Sequence, residues 1–168
     1  MQRFTVAVLV RNQFGVLNRV TSMFRRRQFN IDCLTVSETE SADYSRITVL
    51  FDGEEQNKNQ LIDQLYKLPD VCSIKELHAD NTVSSELMLI KMKNEPGTRE
   101  EIRAAADAFN AKTIDYTRDS IVFQLTDNSR RIDDFIHLMR DYIILEICRT
   151  GIVSLEKGDT TIRKVTNL

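Results

Sequence analysis

Residues 12–36 read NQFGVLNRVTSMFRRRQFNIDCLTV, and this stretch decides the fold. Asn12-Gln13-Phe14-Gly15 is turn chemistry. Val16, Leu17, Val20, Met23 and Phe24 then recur at the spacing of one helix face, up to about Gln28. From Ile31 to Val36 the residues become β-rich. Upstream, Phe4, Val6, Val8 and Val10 alternate with Thr5, Ala7 and Leu9, a strand with one face strongly buried. The unit is a strand, a turn, a helix and a strand.

Downstream, the polar stretch Ser37 to Asp43 separates Ile31–Val36 from a second β-rich run, Arg46 to Phe51. Leu61, Ile62, Leu65 and Leu68 mark a second amphipathic helix, stopped by Pro69. Val71 to Leu77 supplies a last strand, which completes the order β-α-β-β-α-β. Ala79 to Ser85 is small and polar, and the order then repeats. Leu87 to Met92 is a strand and Asn94-Glu95-Pro96-Gly97 the turn. Thr98 and Glu101 form a capping box ahead of Ile102, Ala105, Ala106 and Phe109. Thr113–Tyr116 and Ile121–Leu125 make a tight hairpin around Arg118-Asp119. Ile132, Phe135, Ile136 and Met139 define a helix, and Ile143 to Ile147 a strand.

Asn94 and Gly97 stand 82 residues beyond Asn12 and Gly15, and Phe109-Asn110 stands 80 beyond Phe29-Asn30. An internal duplication gives such marks, and so does convergent turn chemistry. The expected fold class is α+β: two ferredoxin-like β-α-β-β-α-β domains in tandem. Their expected bounds are 1–79 and 86–168, with 80–85 as linker. Each half is near the lower size limit for a self-sufficient core. Each also leaves one sheet face bare, and covering that face invites oligomerisation.

Composition excludes several function classes. Of the 168 residues, 42% are hydrophobic and 29% charged, ordinary values for a soluble globular protein. A net charge of −2, interspersed, gives no global attraction for nucleic acid. Cys33, Cys72 and Cys148 are far apart and form no Cys/His cluster, so neither disulfides nor a zinc site is indicated. They read as small apolar residues in reduced cytosol. No signal peptide or membrane-length apolar run appears, so a cytoplasmic protein without membrane attachment is expected. Neither a phosphate-binding glycine loop nor a nucleophile elbow occurs, and no catalytic or metal-ligating residue is assigned. Glu38, Glu40 and Asp43 are too irregularly spaced for a metal loop and read as a solvated connector. Arg25-Arg26-Arg27 complements a helix C-terminus. His78 and His137 read as surface or helix-face residues.

One binding site does emerge. A strand ending at Asn12 and a helix beginning after Gly15 leave backbone N–H groups around residues 15 to 17 unpaired, which favours an anion. Gly15 permits positive φ and close approach by a ligand. Asn12 and Asn30 offer amide oxygens to an ammonium group and N–H donors to a carboxylate. In a split β-α-β arrangement Asn12 follows strand one, whereas Asn30 precedes strand two. They lie at opposite sheet ends, roughly 20 Å apart at ~3.3 Å per residue. A ligand touching both must bridge two chains.

Residues 12–36 resemble the opening of an ACT domain, the small-ligand sensing module. Asn12, Gly15, Leu17, Arg19, Val20, Phe24, Arg27, Phe29, Asn30, Ile31, Leu34 and Val36 are similar to the acetohydroxyacid synthase (acetolactate synthase) small-subunit family. Ser45-Arg46-Ile47-Thr48, Lys67-Leu68, Asp70-Val71, Met88-Leu89-Ile90-Lys91, Arg149-Thr150-Gly151 and Lys157-Gly158-Asp159 extend the likeness over nearly the whole chain. Phe14 departs from it, where many relatives carry proline, as does Arg11, where some carry an acid. The resemblance implies a homodimeric, non-enzymatic regulator that activates a catalytic large subunit and confers feedback inhibition by valine or another branched-chain amino acid. The implied effector-binding residues are Asn12, Gly15, Val16, Leu17, Asn30 and Ile31. Thiamine diphosphate, magnesium and FAD are expected on the catalytic subunit and none in this chain. The rival reading is a free-standing tandem amino-acid sensor acting on transcription or on a different enzyme.

Overall fold

The alternation at residues 4–10 belongs to a longer strand, β1 (Gln2–Arg11), which occupies the middle of a four-stranded antiparallel sheet. In this computed structural model, which describes residues 2–163, β1 is followed by α1 (Val16–Arg26), β2 (Ile31–Glu38), β3 (Tyr44–Gly53), α2 (Glu55–Leu65) and β4 (Val71–Glu76). The sheet order is β2-β3-β1-β4. Both neighbours of β1 run antiparallel to it, so β2 is parallel to β1 with β3 between them.

Register assigns the faces. Phe4, Val6 and Val8 pair with Phe51, Val49 and Ile47, and all six are buried. They pack with Val16, Val20 and Phe24 of α1 and Leu61 and Leu65 of α2. Phe51 sits edge-on to Phe24 and Phe29, with centroids 5.3 and 5.0 Å away. Gly53 makes room for this cluster: a Cβ there would come within 2.5 Å of the Phe29 ring.

The opposite face is not bare. Leu9 stands between Arg46 and Ser73, and Ala7 between Thr48 and Lys75. Leu9, Ala7, Thr48 and Ser73 are all buried. The cover includes the chain's own late residues. Arg46 Nη2 donates to the Ser154 carbonyl at 2.7 Å, and Lys75 forms an ion pair with Glu156. Lys157 adds a backbone bond to Asn81 at 2.8 Å and an Nζ bond to the Asp80 carbonyl at 3.0 Å. The expectation of an uncovered face was therefore wrong for this half, because residues beyond Ser154 supply fixed partners for the charged groups on it.

The second half repeats the plan with β5 (Thr82–Lys93), α3 (Arg99–Ala108), β6 (Lys112–Tyr116), β7 (Ser120–Asp127), α4 (Ser129–Met139) and β8 (Ile144–Arg149), in sheet order β6-β7-β5-β8. Met88, Ile90, Met92, Ile121, Phe123 and Leu125 meet Ile102 and Ala106 of α3 and Ile132, Phe135 and Met139 of α4. A short strand, β9 (Val153–Glu156), follows. One compact unit runs to Val83 and takes back Ser154–Arg163; the other is Ser84–Val153. Residues Ser154–Arg163 cluster with the first unit, whereas the expected bound placed them in 86–168; 164–168 lie outside the described residues. The expected 80–85 linker is partly structured, as a 3-10 turn at Ala79–Asn81 and the start of β5.

The helix termini test the duplication. After α1, Phe29 N–H returns to Phe24 O at 3.0 Å and Gln28 N–H to Arg25 O at 3.1 Å, with Gln28 at φ 59. After α3, Ala111 N–H returns to Ala106 O at 2.8 Å and Asn110 N–H to Asp107 O at 3.0 Å, with Asn110 at φ 56. Both ends are the same left-handed C-cap, and all four residues are offset by 82. The Phe-Asn marks at an offset of 80 are therefore out of structural register: Asn110 corresponds to Gln28, not to Asn30. The Thr98 capping box does not form either, since Thr98 makes no side-chain cap bond and Glu101 instead accepts from the Tyr142 hydroxyl at 3.3 Å.

Candidate functional site

The loop between β1 and α1 is shaped by three local constraints. Arg11 N–H bonds to Asp70 O at 2.9 Å, Asn12 N–H to Asp43 O at 2.8 Å, and Gln13 N–H to Arg11 O at 3.0 Å. Gly15 then takes φ 78 as the residue before α1, a left-handed conformation that favours glycine. Val16 N–H closes a long 3.3 Å bond on Gln13 O, and Arg19 N–H makes the first regular helical bond, to Gly15 O. The amides of Leu17 and Asn18 precede that bond. No side chain caps this end and no acidic residue occupies its first turn. Partial positive charge at the terminus therefore remains available to an anion.

Beside the loop, Arg19 donates to one Asp70 oxygen through Nε at 3.0 Å and Nη2 at 2.6 Å. The Asp70 side chain is 13% exposed. Arg19 Nη1 stands 3.3 Å from where a Cβ on residue 15 would lie, so the pair walls one side of the loop.

The residues expected to hold a ligand differ in what they can present. Asn12 Nδ2 donates to Glu38 Oε1 at 3.0 Å and to Ala42 O at 2.9 Å, which commits both its hydrogens. Its Oδ1 can still face an ammonium group, but it is not the carboxylate donor expected from sequence. Val16 is buried with its side chain in the core, so it presents only backbone. Leu17 is 40% exposed and the Phe14 side chain lies fully in solvent. Arg11, Asn12, Gln13, Ala42, Asp43 and Tyr44 line an open hollow of about 290 Å³ at this end of the sheet.

Asn30 and Ile31 are elsewhere. Ile31 pairs with Phe51, which pairs with Phe4, so Asn30 sits near the level of the start of β1. Phe4 and Arg11 are seven steps apart along β1, about 23 Å at ~3.3 Å per residue. Asn30 is exposed, its Nδ2 3.3 Å from Asp32 Oδ1, and Ile31 is half-buried at the outer edge of the core. One chain therefore brings Asn12, Gly15, Val16 and Leu17 together and leaves Asn30 and Ile31 at the other sheet end.

The connector at 38–43, a solvated stretch by its residue spacing, holds the loop in place. Glu38 accepts from Asn12, Asp43 O receives the Asn12 amide, and Glu40 pairs with Arg163 at 2.8 Å. One of these contacts uses a backbone carbonyl, which residue spacing does not reveal. Asn94 gives a sequence-level hint, since it makes the same bridge in the second unit: its N–H reaches Asp119 O at 3.0 Å and its Nδ2 Thr117 O at 2.6 Å. Gly97 has no such parallel, because its φ is not in the left-handed region occupied by Gly15. Arg25 and Arg26 lie exposed in the last turn of α1, while Arg27 donates to Gln60 at 3.1 Å. Among the described residues no group of three or more His, Cys, Asp or Glu side chains is placed to hold a metal ion. No helix there is long and apolar enough to cross a membrane.

Comparison with known proteins places this geometry in a lineage. Residues 6–73 match a family described as the AHAS small subunit-like ACT domain, and residues 85–158 one described as the small subunit of acetolactate synthase. The probable acetolactate synthase small subunit of Archaeoglobus fulgidus is 41% identical over 157 residues, covering 94% of this chain and 98% of that protein. The acetolactate synthase small subunit of Bacillus subtilis is 41% identical over 154 residues, covering 91% of this chain and 90% of its own. The crystal structure of the acetolactate synthase small subunit from Thermotoga maritima superposes with a TM-score of 0.87 at 31% identity, over 95% of this chain and all of that one. With identity of this order running through both halves, the chain belongs to the acetolactate synthase small-subunit family.

Proposed function

We propose that this protein is the regulatory, non-catalytic partner of an acetolactate synthase catalytic subunit, activating it and conferring feedback inhibition by valine. In this reading it works as a homodimer whose effector sites lie between subunits. The observation that carries the reading is the opposition of Gly15 and Asn30 at the two ends of one sheet. An uncapped helix terminus beside Gly15 suits the carboxylate of an amino acid, and Asn12 Oδ1 suits its ammonium. The exposed methyl groups of Leu17 suit a branched aliphatic side chain. Closure then falls to Asn30 and Ile31 of the partner subunit. The edge strand β2 exposes Leu34 and Val36 and is available to pair with its own copy. Charge-assisted hydrogen bonds of ~1.5–3 kcal/mol each, less the cost of immobilising the ligand, give an affinity between ~10 μM and ~1 mM. That range follows a fluctuating metabolite pool.

The test is complementation between two silent variants. Gly15→Asp and Asn30→Ala dimers each lose most valine binding by calorimetry. After verified subunit exchange, mixed dimers regain one site in two, because one interface side carries both intact elements. Absence of recovery in exchanged dimers removes the shared site.

A further inference from the structure

A second cavity, of about 380 Å³, lies on the other face of the first sheet, where the helices do not pack. Its size is at the lower end of the range for small-molecule sites. Leu9 forms part of its wall, Leu155 and Ile162 supply further apolar surface, and Arg46, Glu38, Glu40 and Arg163 supply the charges. Leu155 is 60% exposed, an apolar side chain left half in water beside the cavity. The polar side is unevenly satisfied. Arg46 Nη2 is committed to the Ser154 carbonyl, and Glu38 to Asn12. Arg163 Nη1 pairs with Glu40 at 2.8 Å, and its guanidinium lies 5.2 Å from the Tyr44 ring centre. Arg163 Nη2 is different: among the described residues it is the buried side-chain polar atom without a hydrogen-bond partner. The Arg163 side chain as a whole is 40% exposed, but this shielded N–H lacks an acceptor, and a carboxylate is its best-matched partner.

We propose that this cavity binds a short aliphatic monocarboxylate. The carboxylate oxygen accepts from Arg163 Nη2, and the aliphatic body covers Leu9, Leu155 and Ile162. The site is separate from the Gly15 loop and does not depend on the effector reading. Amino, oxo and unsubstituted acids share the recognised chemistry, so the probes must separate them.

The experiment uses the full chain with labelled methyl groups on leucine and isoleucine, followed by NMR during titration. The probes are 3-methylbutanoate, 3-methylbutan-1-ol and valine. Saturable shifts at Leu9, Leu155 and Ile162 with 3-methylbutanoate are expected, with the alcohol at least about tenfold weaker. Valine shifting the same methyls in the Asn30→Ala protein extends the site to amino acids; valine leaving them unmoved confines it to acids lacking the ammonium. Arg163→Gln should weaken 3-methylbutanoate about tenfold or more. Glu40→Gln should strengthen it several-fold by removing a competing anion, a direction that general disruption does not produce. Unmoved methyls, an alcohol that binds as well as the acid, unchanged affinity in Arg163→Gln, or weaker binding in Glu40→Gln would each overturn the proposal.

Discussion

In the proposed effector site, replacing Gly15 by Asp sets conformation, space and charge against a ligand at once. A side chain in the left-handed region costs ~1–2 kcal/mol, with Asp among the better tolerated. Its Cβ would press on Arg19 Nη1 at 3.3 Å, but that group is the end of a flexible side chain and can move. The new carboxylate would stand near the ligand's own, a repulsion of about 4 kcal/mol at ~4 Å and an effective dielectric of ~20. Part of that is relieved by Arg19, so we expect roughly 3 kcal/mol of lost binding, more than a hundredfold. The variant should fold and still activate the catalytic subunit while ignoring valine. Synthase activity of the reconstituted complex against rising valine checks both halves of that statement. A second residue, Glu86, gives its ion pair an acid response. Glu86 is buried, and burial opposes its charge, yet hydrogen bonds from Arg149 at 2.6 and 3.0 Å and from Ser129 at 2.8 Å outweigh it. Its carboxyl is held below the usual range, so the pair's stabilisation is fully present above the unfolded value near ~4.3 and fades as pH falls through the folded one. Breaking a buried pair costs ~3–5 kcal/mol. Because Arg149 keeps Asp133 at 2.8 Å, Glu86→Gln should cost about 3 kcal/mol at neutral pH. Urea unfolding at pH 7 and pH 3 should show that difference shrinking in acid; a difference independent of pH refutes the linkage.

At the scale of elements, much of the fold was legible because strands and helices announce themselves by period. The alternation in β1 and the helical spacing in α1, α3 and α4 gave both elements and faces. What failed was geometry carried by backbone atoms. Thr98 and Glu101 have the residue types of a capping box, yet Thr98 sits at φ −118, ψ −7 and makes no cap bond. The four-residue β9 was missed because Val153 and Leu155 alternate for too short a run to register. Of the candidate site, Gly15 and the Asn30 separation were readable from topology. The commitment of Asn12 to Glu38 and Ala42 was not, since carbonyls carry no residue identity. Asn94 offers the sharper test of that bridge, being 5% exposed where Asn12 is exposed. Its Oδ1 also accepts from Arg99 Nε at 2.7 Å, which anchors the start of α3. Asn94→Ala should cost about 1–3 kcal/mol by leaving the Thr117 carbonyl unpaired. Asn12→Ala should cost less, because water replaces its partners. A thermal unfolding comparison that reverses this order would show that burial does not set the worth of the bridge.

For the whole molecule, the decisive feature is the return of residues from Ser154 to Arg163 to the first unit. Arg46 and Lys75 lie on the sheet face whose buried centre is Ala7, Leu9, Thr48 and Ser73, and the returning segment supplies their partners. A chain ending at Val153 should therefore melt earlier and bind an apolar dye at Leu9, whose burial alone contributes about 1.5–3 kcal/mol. An unchanged melting midpoint would mean that the segment adds nothing to stability. Domains ordinarily fold in the order they leave the ribosome, amino-terminal first. Here the first unit is discontinuous in sequence, because Ser154–Arg163 follow the whole of the second unit. The first unit therefore cannot complete its sheet face until the chain has been made through Ser154–Arg163, after all of Ser84–Val153 has been synthesised.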